Sequence, residues 1–327
     1  MIALHRRAAI VLVLVVLVAA SPGLAQRTGP VKIGVLSASW GPTTGVVGLR
    51  DGLQALGYRE NTDFVIGVRF TQGNAAELPA AARELVRIGA EILVTDGSGD
   101  AAKAAQTAAM GRIPVVFMGE IDPVARGLVP SLARPGGNVT GIANLDAELG
   151  PKRLEILRDM VPGLKRVLLP YDASEPAFEQ MLGAYRAAAR RLGLILVEKP
   201  LRTQDEARAA VAEIGKGQVD GIISPRWLTL NIPGFMLEAA ARQAAPTMFH
   251  DSFFVERGGL ASYAANTAQL GRQAARLVDR IIKGAKPADL PVEQPTTFEL
   301  VINLKTATAL GLTIPPSVLI RADRIIR

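Results

Sequence analysis

Ile92-Leu-Val-Thr-Asp-Gly-Ser-Gly-Asp-Ala-Ala-Lys-Ala-Ala105 reads as a buried strand, a glycine-rich turn and the first turns of a helix. A strand that feeds a helix in this way is the repeating unit of a parallel α/β sheet. Such turns cradle nucleotide phosphates, and they also line clefts that hold a solute. Gly97-Ser98-Gly99 is not the G-x-G-x-x-G register after a first strand, and G-x-x-x-x-G-K-[ST] occurs nowhere in the chain. Dinucleotide and P-loop chemistry are therefore disfavoured, and no cofactor is expected. What remains is a set of backbone N–H donors at a helix start, suited to a carboxylate or hydroxyl, with Asp100 as N-cap. A turn that only caps its helix is the plainer alternative.

The same unit recurs along the chain. Apolar β-rich runs at 31–36, 64–70, 91–95 and 113–118 alternate with helical spacing at 43–57, 75–88 and 100–110. After the turn-rich Arg134–Ala143, strands fit 165–169, 194–198, 219–223 and 246–249, with helices near 174–192, 203–215 and 232–244. An α/β layer is thus written twice. A third section holds Gly258–Asn266, an amphipathic helix near 267–283, a strand-like piece from Leu290 to Ile302 and a short tail helix. This helix either extends the second layer or returns to the first.

The 327 residues, 49% of them hydrophobic, suffice for two domains with cores of ordinary size. Residues 1–25 differ from the rest. His5-Arg6-Arg7 precede an apolar run from Ala8 to Ala20, and small Gly23 and Ala25 follow, which is the layout of a cleavable secretory signal. The run of 13 residues is shorter than the roughly 18 that span a bilayer. No cysteine is present, so stability comes without disulfides and no lipidated N-terminal cysteine anchors the protein. A free periplasmic protein is expected. Cleavage after Ala25 leaves 35 basic against 30 acidic residues, scattered rather than blocked, so a nucleic-acid partner is not expected.

Ligands of open α/β sheets sit beyond the carboxyl ends of the strands. In the first half these positions are Ser37 and Trp40, then Asp96, Gly97 and Ser98, then Gly119, Glu120 and Asp122. In the second half they are Asp172 and Ser174, Pro225, Arg226 and Trp227, and His250 and Asp251. Trp40 packs under its loop or presents its face to a ligand. Asp172 and Ser174 look like helix caps first, and Asp122 before a proline like a turn starter. Arg226 can clamp a carboxylate in two places, with the Trp227 indole covering an apolar or aromatic group. Catalysis finds little support. His5 and His250 are the only histidines, which leaves no histidine-rich metal site, and G-x-S-x-G is absent. Adjacent His250 and Asp251 would point to opposite faces of a strand.

Three longer stretches resemble a known family: Leu128–Gly141 (LVPSLARPGGNVTG), Gly258–Tyr263 (GGLASY) and Val301–Pro316 (VINLKTATALGLTIPP). They are similar to ABC-transporter substrate-binding proteins, a family that includes tryptophan- and tyrosine-binding members, and the resemblance runs from about Val31 to the C-terminus. It implies the type I periplasmic binding protein fold, two doubly wound parallel-sheet lobes joined by a three-segment hinge. The first lobe would be 31–140 plus 266–287, and the second 141–265 plus 288–327. Crossings would fall at 138–143, 260–266 and 287–292. It also implies that a small molecule is held between the lobes by Ser37, Trp40, Asp96, Gly97, Ser98, Gly119, Asp122, Asp172, Ser174, Pro225, Arg226 and Asp251. The Asp96-Gly-Ser-Gly turn and the Trp227 context depart from family members, so tryptophan specificity does not transfer. The expected function is a monomeric solute-binding component that delivers an amino acid, aromatic acid or similar ligand to an inner-membrane ABC permease. An extracytoplasmic sensor and an α/β enzyme are the alternatives, the second opposed by the missing phosphate-loop and nucleophile motifs.

Overall fold

In the computed structural model, which describes residues 29–97, 99–173, 178–215, 217–225 and 235–327, the chain builds two sheets. The first half contributes β1 (Val31–Ser37), α1 (Thr44–Ala55), β2 (Phe64–Phe70), α2 (Leu78–Arg87), β3 (Ile92–Asp96), α3 (Gly99–Ala109), β4 (Val115–Glu120) and β5 (Val139–Ala143). Its strands lie in the order β2-β1-β3-β4-β5, all parallel. The central strands β3 and β4 are buried along their whole length because helices cover both faces.

The chain then runs through α4 (Asp146–Met160), β6 (Arg166–Asp172), α5 (Phe178–Leu192), β7 (Ile195–Leu201), α6 (Gln204–Ala212), β8 (Gly221–Ser224), α7 (Phe235–Gln243), β9 (Thr247–Phe249), α8 (Ser252–Glu256) and β10 (Ala261–Ala265). After α9 (Thr267–Ile282) come β11 (Phe298–Asn303), α10 (Leu304–Ala309), α11 (Pro316–Leu319) and β12 (Arg324–Ile326). The second sheet has the order β12-β11-β10-β9-β8-β6-β7, with β10 and β11 antiparallel. Each sheet has its own core, and α9 belongs to the first. Leu270, Ala274, Leu277 and Val278 pack with Val46, Leu49 and Leu53 of α1 and with Val35 and Val94 of the sheet. The two helices meet backbone to backbone: a Cβ on Gly48 would lie 2.0 Å from the Ala268 carbonyl oxygen, and one on Gly271 would lie 2.1 Å from that of Gly45.

Gly141, Ile142 and Ala143 pair with β4 and so extend the first sheet. Past residue 287 the chain still clings to the first lobe. Val292 donates to the Leu132 carbonyl at 2.8 Å and Glu293 to that of Gly141 at 2.9 Å, while Ala143 donates back to Glu293 at 2.8 Å.

Helix α4 has no counterpart among the expected helices, because Gly150-Pro151 interrupts its pattern. Packing overrides that signal. A Cβ on Gly150 would stand 2.7 Å from the Tyr185 ring of α5, so glycine is what lets the two helices approach. The fully buried Arg153 of the same helix donates from Nε to the Tyr263 carbonyl at 2.7 Å, tying α4 to β10.

Tyr58, after α1, donates its hydroxyl to Asp279 Oδ1 of α9 at 2.8 Å. Burial, and then the bond to Asp279, push the phenol up to about 12. Tyr58→Phe is expected to cost about 1 kcal/mol in urea unfolding at neutral pH, the usual net value of one such bond. Because the folded-state value is raised, the wild-type protein loses stability as pH climbs past 10, and the phenylalanine variant lacks that part of the alkaline loss.

Candidate functional site at the strand ends

At the end of β1 the backbone turns sharply, and hydroxyls hold the turn. Buried Ser37 donates to Ser39 Oγ at 2.9 Å, the Ser39 amide donates back to Ser37 Oγ at 3.2 Å, and Ser39 Oγ donates to the Gly41 carbonyl at 2.8 Å. The loop after β2 is laced to it, with Thr71, Gln72 and Gly73 amides donating to the carbonyls of Ser37, Ser39 and Ala38. Ser37 thus shapes this loop. Trp40, at its tip, is 46% exposed and presents apolar area at a strand end.

Asp96 ends β3, buried, and accepts from the hydroxyl of Thr43. Thr43 is the N-cap of α1 and accepts from the Val46 amide at 3.2 Å. Gly97 (φ +74°) donates its amide to the Met118 carbonyl at 2.9 Å, so this donor serves the sheet. Gly99 is required by a side chain: its Cβ would lie 2.2 Å from Arg126 Nε. Asp100 is the second residue of α3 rather than its cap, 3.6 Å from Arg126 Nη1. Ser98 lies outside the described residues.

Gly119 (φ +79°) lets β4 bulge against β5, and Glu120 follows, 3% exposed. Glu120 Oε1 stands 3.1 Å from Arg126 Nε and accepts from the Ile121 amide at 3.1 Å. Burial pushes its carboxyl above the ordinary 4.5 in spite of Arg126. A raised carboxyl favours the fold below its unfolded-state value and penalises it as pH rises through 4.5 toward the folded-state value. Wild-type stability minus that of Glu120→Gln is therefore expected to fall as pH rises above 4.5, read by urea titrations at several pH values. A difference that rises over that window would contradict it. Asp122 Oδ1 accepts from the Ala125 amide at 2.9 Å, which makes it the cap of its turn.

In the second sheet Asp172 ends β6 and buried Pro225 follows β8, while Ser174, Arg226 and Trp227 lie outside the described residues. His250 is a buried strand-end residue with Nδ1 3.1 Å from the Ser224 carbonyl and its ring edge-on to Phe254. Asp251 faces two ways. Oδ1 accepts from the Phe253 amide at 2.9 Å, capping α8, and Oδ2 accepts from the Thr267 hydroxyl at 3.1 Å. Thr267 opens α9, which packs in the first lobe, so this bond joins the lobes beside the second crossing. A Cβ on Gly45 would touch both Asp96 Oδ1 at 3.1 Å and Thr267 Cγ2 at 3.4 Å. Asp96, Thr43, Thr267 and Asp251 thus line one polar seam between strand ends of both sheets. Thr43, Gly45 and Thr267 are absent from the sequence-derived set, and their signal was only that of residues opening helices.

Among the described residues, no group of three or more His, Cys, Asp or Glu is placed to hold a metal, and no helix is long and apolar enough to cross a membrane. A groove of about 510 Å³ lies elsewhere, between α2 and α3, lined by Leu78, Pro79, Val86, Lys103 and Met110. Arg83, Asp100 and Thr107 lie on its rim, and it stands apart from the strand-end seam.

The sequence pattern of the family described as ABC transporter substrate binding protein matches residues 32–326. The chain belongs to that family. A tyrosine-binding protein of Clostridioides difficile (strain R20291) is 26% identical over 261 residues, 80% of this chain and 74% of the relative. The crystal structure of a conserved domain protein from Vibrio cholerae O1 biovar El Tor superposes with a TM-score of 0.81 at 30% identity, covering 90% of this chain and 99% of that one. The ABC domain from Streptococcus pneumonia in complex with L-Trp gives 0.81 at 29% identity, covering 91% and 100%. The substrate-binding protein described here has the type I periplasmic binding protein fold of these relatives, with two α/β lobes and three crossings.

Proposed function

We propose that this substrate-binding protein captures an aromatic amino acid between its lobes and delivers it to an ABC permease, exported to the periplasm by the segment 1–25 and acting as a monomer without chemical turnover. The observation that carries the reading is the seam. Asp96 from the first sheet accepts from Thr43 and Asp251 from the second accepts from Thr267, with Gly45 between Asp96 and Thr267, and carboxylates from both lobes along one seam suit an ammonium group. Trp40 offers an aromatic face at the same strand ends. The tyrosine-binding relative and the L-Trp complex agree with that chemistry. A ligand that touches both lobes gains contacts only when they close, so binding shifts the hinge equilibrium toward the closed form that a permease would accept.

Isothermal titration with L-tyrosine and L-tryptophan, with ribose as control, tests the proposal. Saturable binding of either amino acid, recovered unchanged by mass spectrometry, is the expected result. Binding of neither, or conversion of the bound compound, overturns it.

A further inference from the structure

The loop after β4 is built as a rigid prong. Gly119 turns the chain out of the sheet at φ +79°, and the Glu120 carboxylate, buried beneath, holds the Ile121 amide at 3.1 Å. Arg126 comes back from the far side of the loop, packs against Gly99 at the start of α3 and reaches Glu120 at 3.1 Å and Asp100 at 3.6 Å. In between, Asp122 caps the Ala125 amide, Arg126 donates to the Asp122 carbonyl at 3.1 Å and Gly127 to that of Val124 at 2.9 Å. Every one of these contacts lies within the first lobe. The side chain they present does not: Ile121, half-buried, packs against the core of the second lobe, whose members run from Leu154 to Ala261 and from Leu300 to Val318.

We propose that Ile121 is a latch, a first-lobe side chain that holds the two lobes together across their gap and tilts the hinge toward closure even before a ligand binds. The physical basis is simple. An apolar side chain that is covered only when the lobes meet favours the closed state by the area it buries, and a loop already fixed by a buried ion pair adds little ordering cost on closure. The latch accounts for a buried acid, an arginine and two glycines in the loop that presents Ile121 to the second lobe. It rests on the proposed two-lobe binding mechanism but not on the identity of the ligand.

The protein has no cysteine, so Lys103→Cys on α3 and Arg208→Cys on α6, both exposed, accept a pair of spin labels without background. Pulsed dipolar distances are then measured in the otherwise wild-type protein, in Ile121→Ser and in Ile121→Val, without ligand and with L-tyrosine. The expected result is a short-distance population in the ligand-free protein that falls about tenfold relative to the long one in Ile121→Ser, the scale for exposing part of an isoleucine, and is largely kept in Ile121→Val. Ligand-free distributions that are identical in wild type and Ile121→Ser, whether all short or all long, overturn the latch. If the distributions separate but L-tyrosine and L-tryptophan bind neither protein, the latch stands and the amino-acid reading falls.

Discussion

Gly271→Val is expected to destabilise the protein by at least about 3 kcal/mol, the upper range for forcing atoms into a packed interior. A Cβ at 271 would sit 2.1 Å from the Gly45 carbonyl oxygen and 2.6 Å from the Leu49 amide nitrogen. These are backbone atoms of a neighbouring helix, so no rotamer change relieves the clash. The helices must separate, and the contacts of Leu270 and Ala274 with Val46, Leu49 and Leu53 go with them. Because α9 reaches the first lobe from the second crossing, the damage spreads to the hinge as well. The internal control is Gly183, within α5, where an added Cβ meets nothing within 4 Å. Gly183→Ala should raise stability by roughly 0.5–1 kcal/mol through helix propensity. Urea unfolding followed by circular dichroism measures both. Equal, small effects at the two positions would show that α1 and α9 do not pack as described.

Asp96 is expected to matter most for binding. If its carboxylate receives the ligand ammonium, Asp96→Ala leaves a buried cation without its partner, and affinity for the bound amino acid should fall about 100-fold or more. The alanine variant also loses the bond from Thr43, so Asp96→Asn is the sharper test. Asparagine keeps an oxygen to accept from Thr43 and therefore keeps the start of α1, but it carries no charge. Near-wild-type unfolding with a binding loss of similar size is the expected outcome, read by denaturant titration and calorimetry on the same samples. Binding by Asp96→Asn at wild-type strength would remove Asp96 from the ligand's ammonium site.

Much of this protein was readable from the linear chain. Apolar runs such as Ile92–Thr95 and Val115–Met118 became strands because a strand covered on both faces needs no polar alternation, and that is a local property of composition. Strand ends such as Asp96 and Asp251 were identifiable for the same reason, since they lie within two residues of the ends of such runs. Family membership followed from Leu128–Gly141, Gly258–Tyr263 and Val301–Pro316, and the match over residues 32–326 agrees.

What tertiary structure alone decided is what each polar group is for. The Gly97 amide donates to β4, because the neighbouring strand brings the Met118 carbonyl within 2.9 Å. Asp100 looked like a cap, yet Arg126 arrives from 26 positions later and makes it part of an ion-paired loop. Helix α4 runs through Gly150-Pro151, and glycine is required there because Tyr185, far along the chain, occupies the space a side chain would need. Thr267 acquires Asp251, and Ile121 acquires a second-lobe core, only when three crossings bring distant segments together. Patterning and propensity are sums over near neighbours, whereas hydrogen-bond partners and cross-lobe contacts are set by distances between residues far apart in sequence, which exist only once the chain has folded.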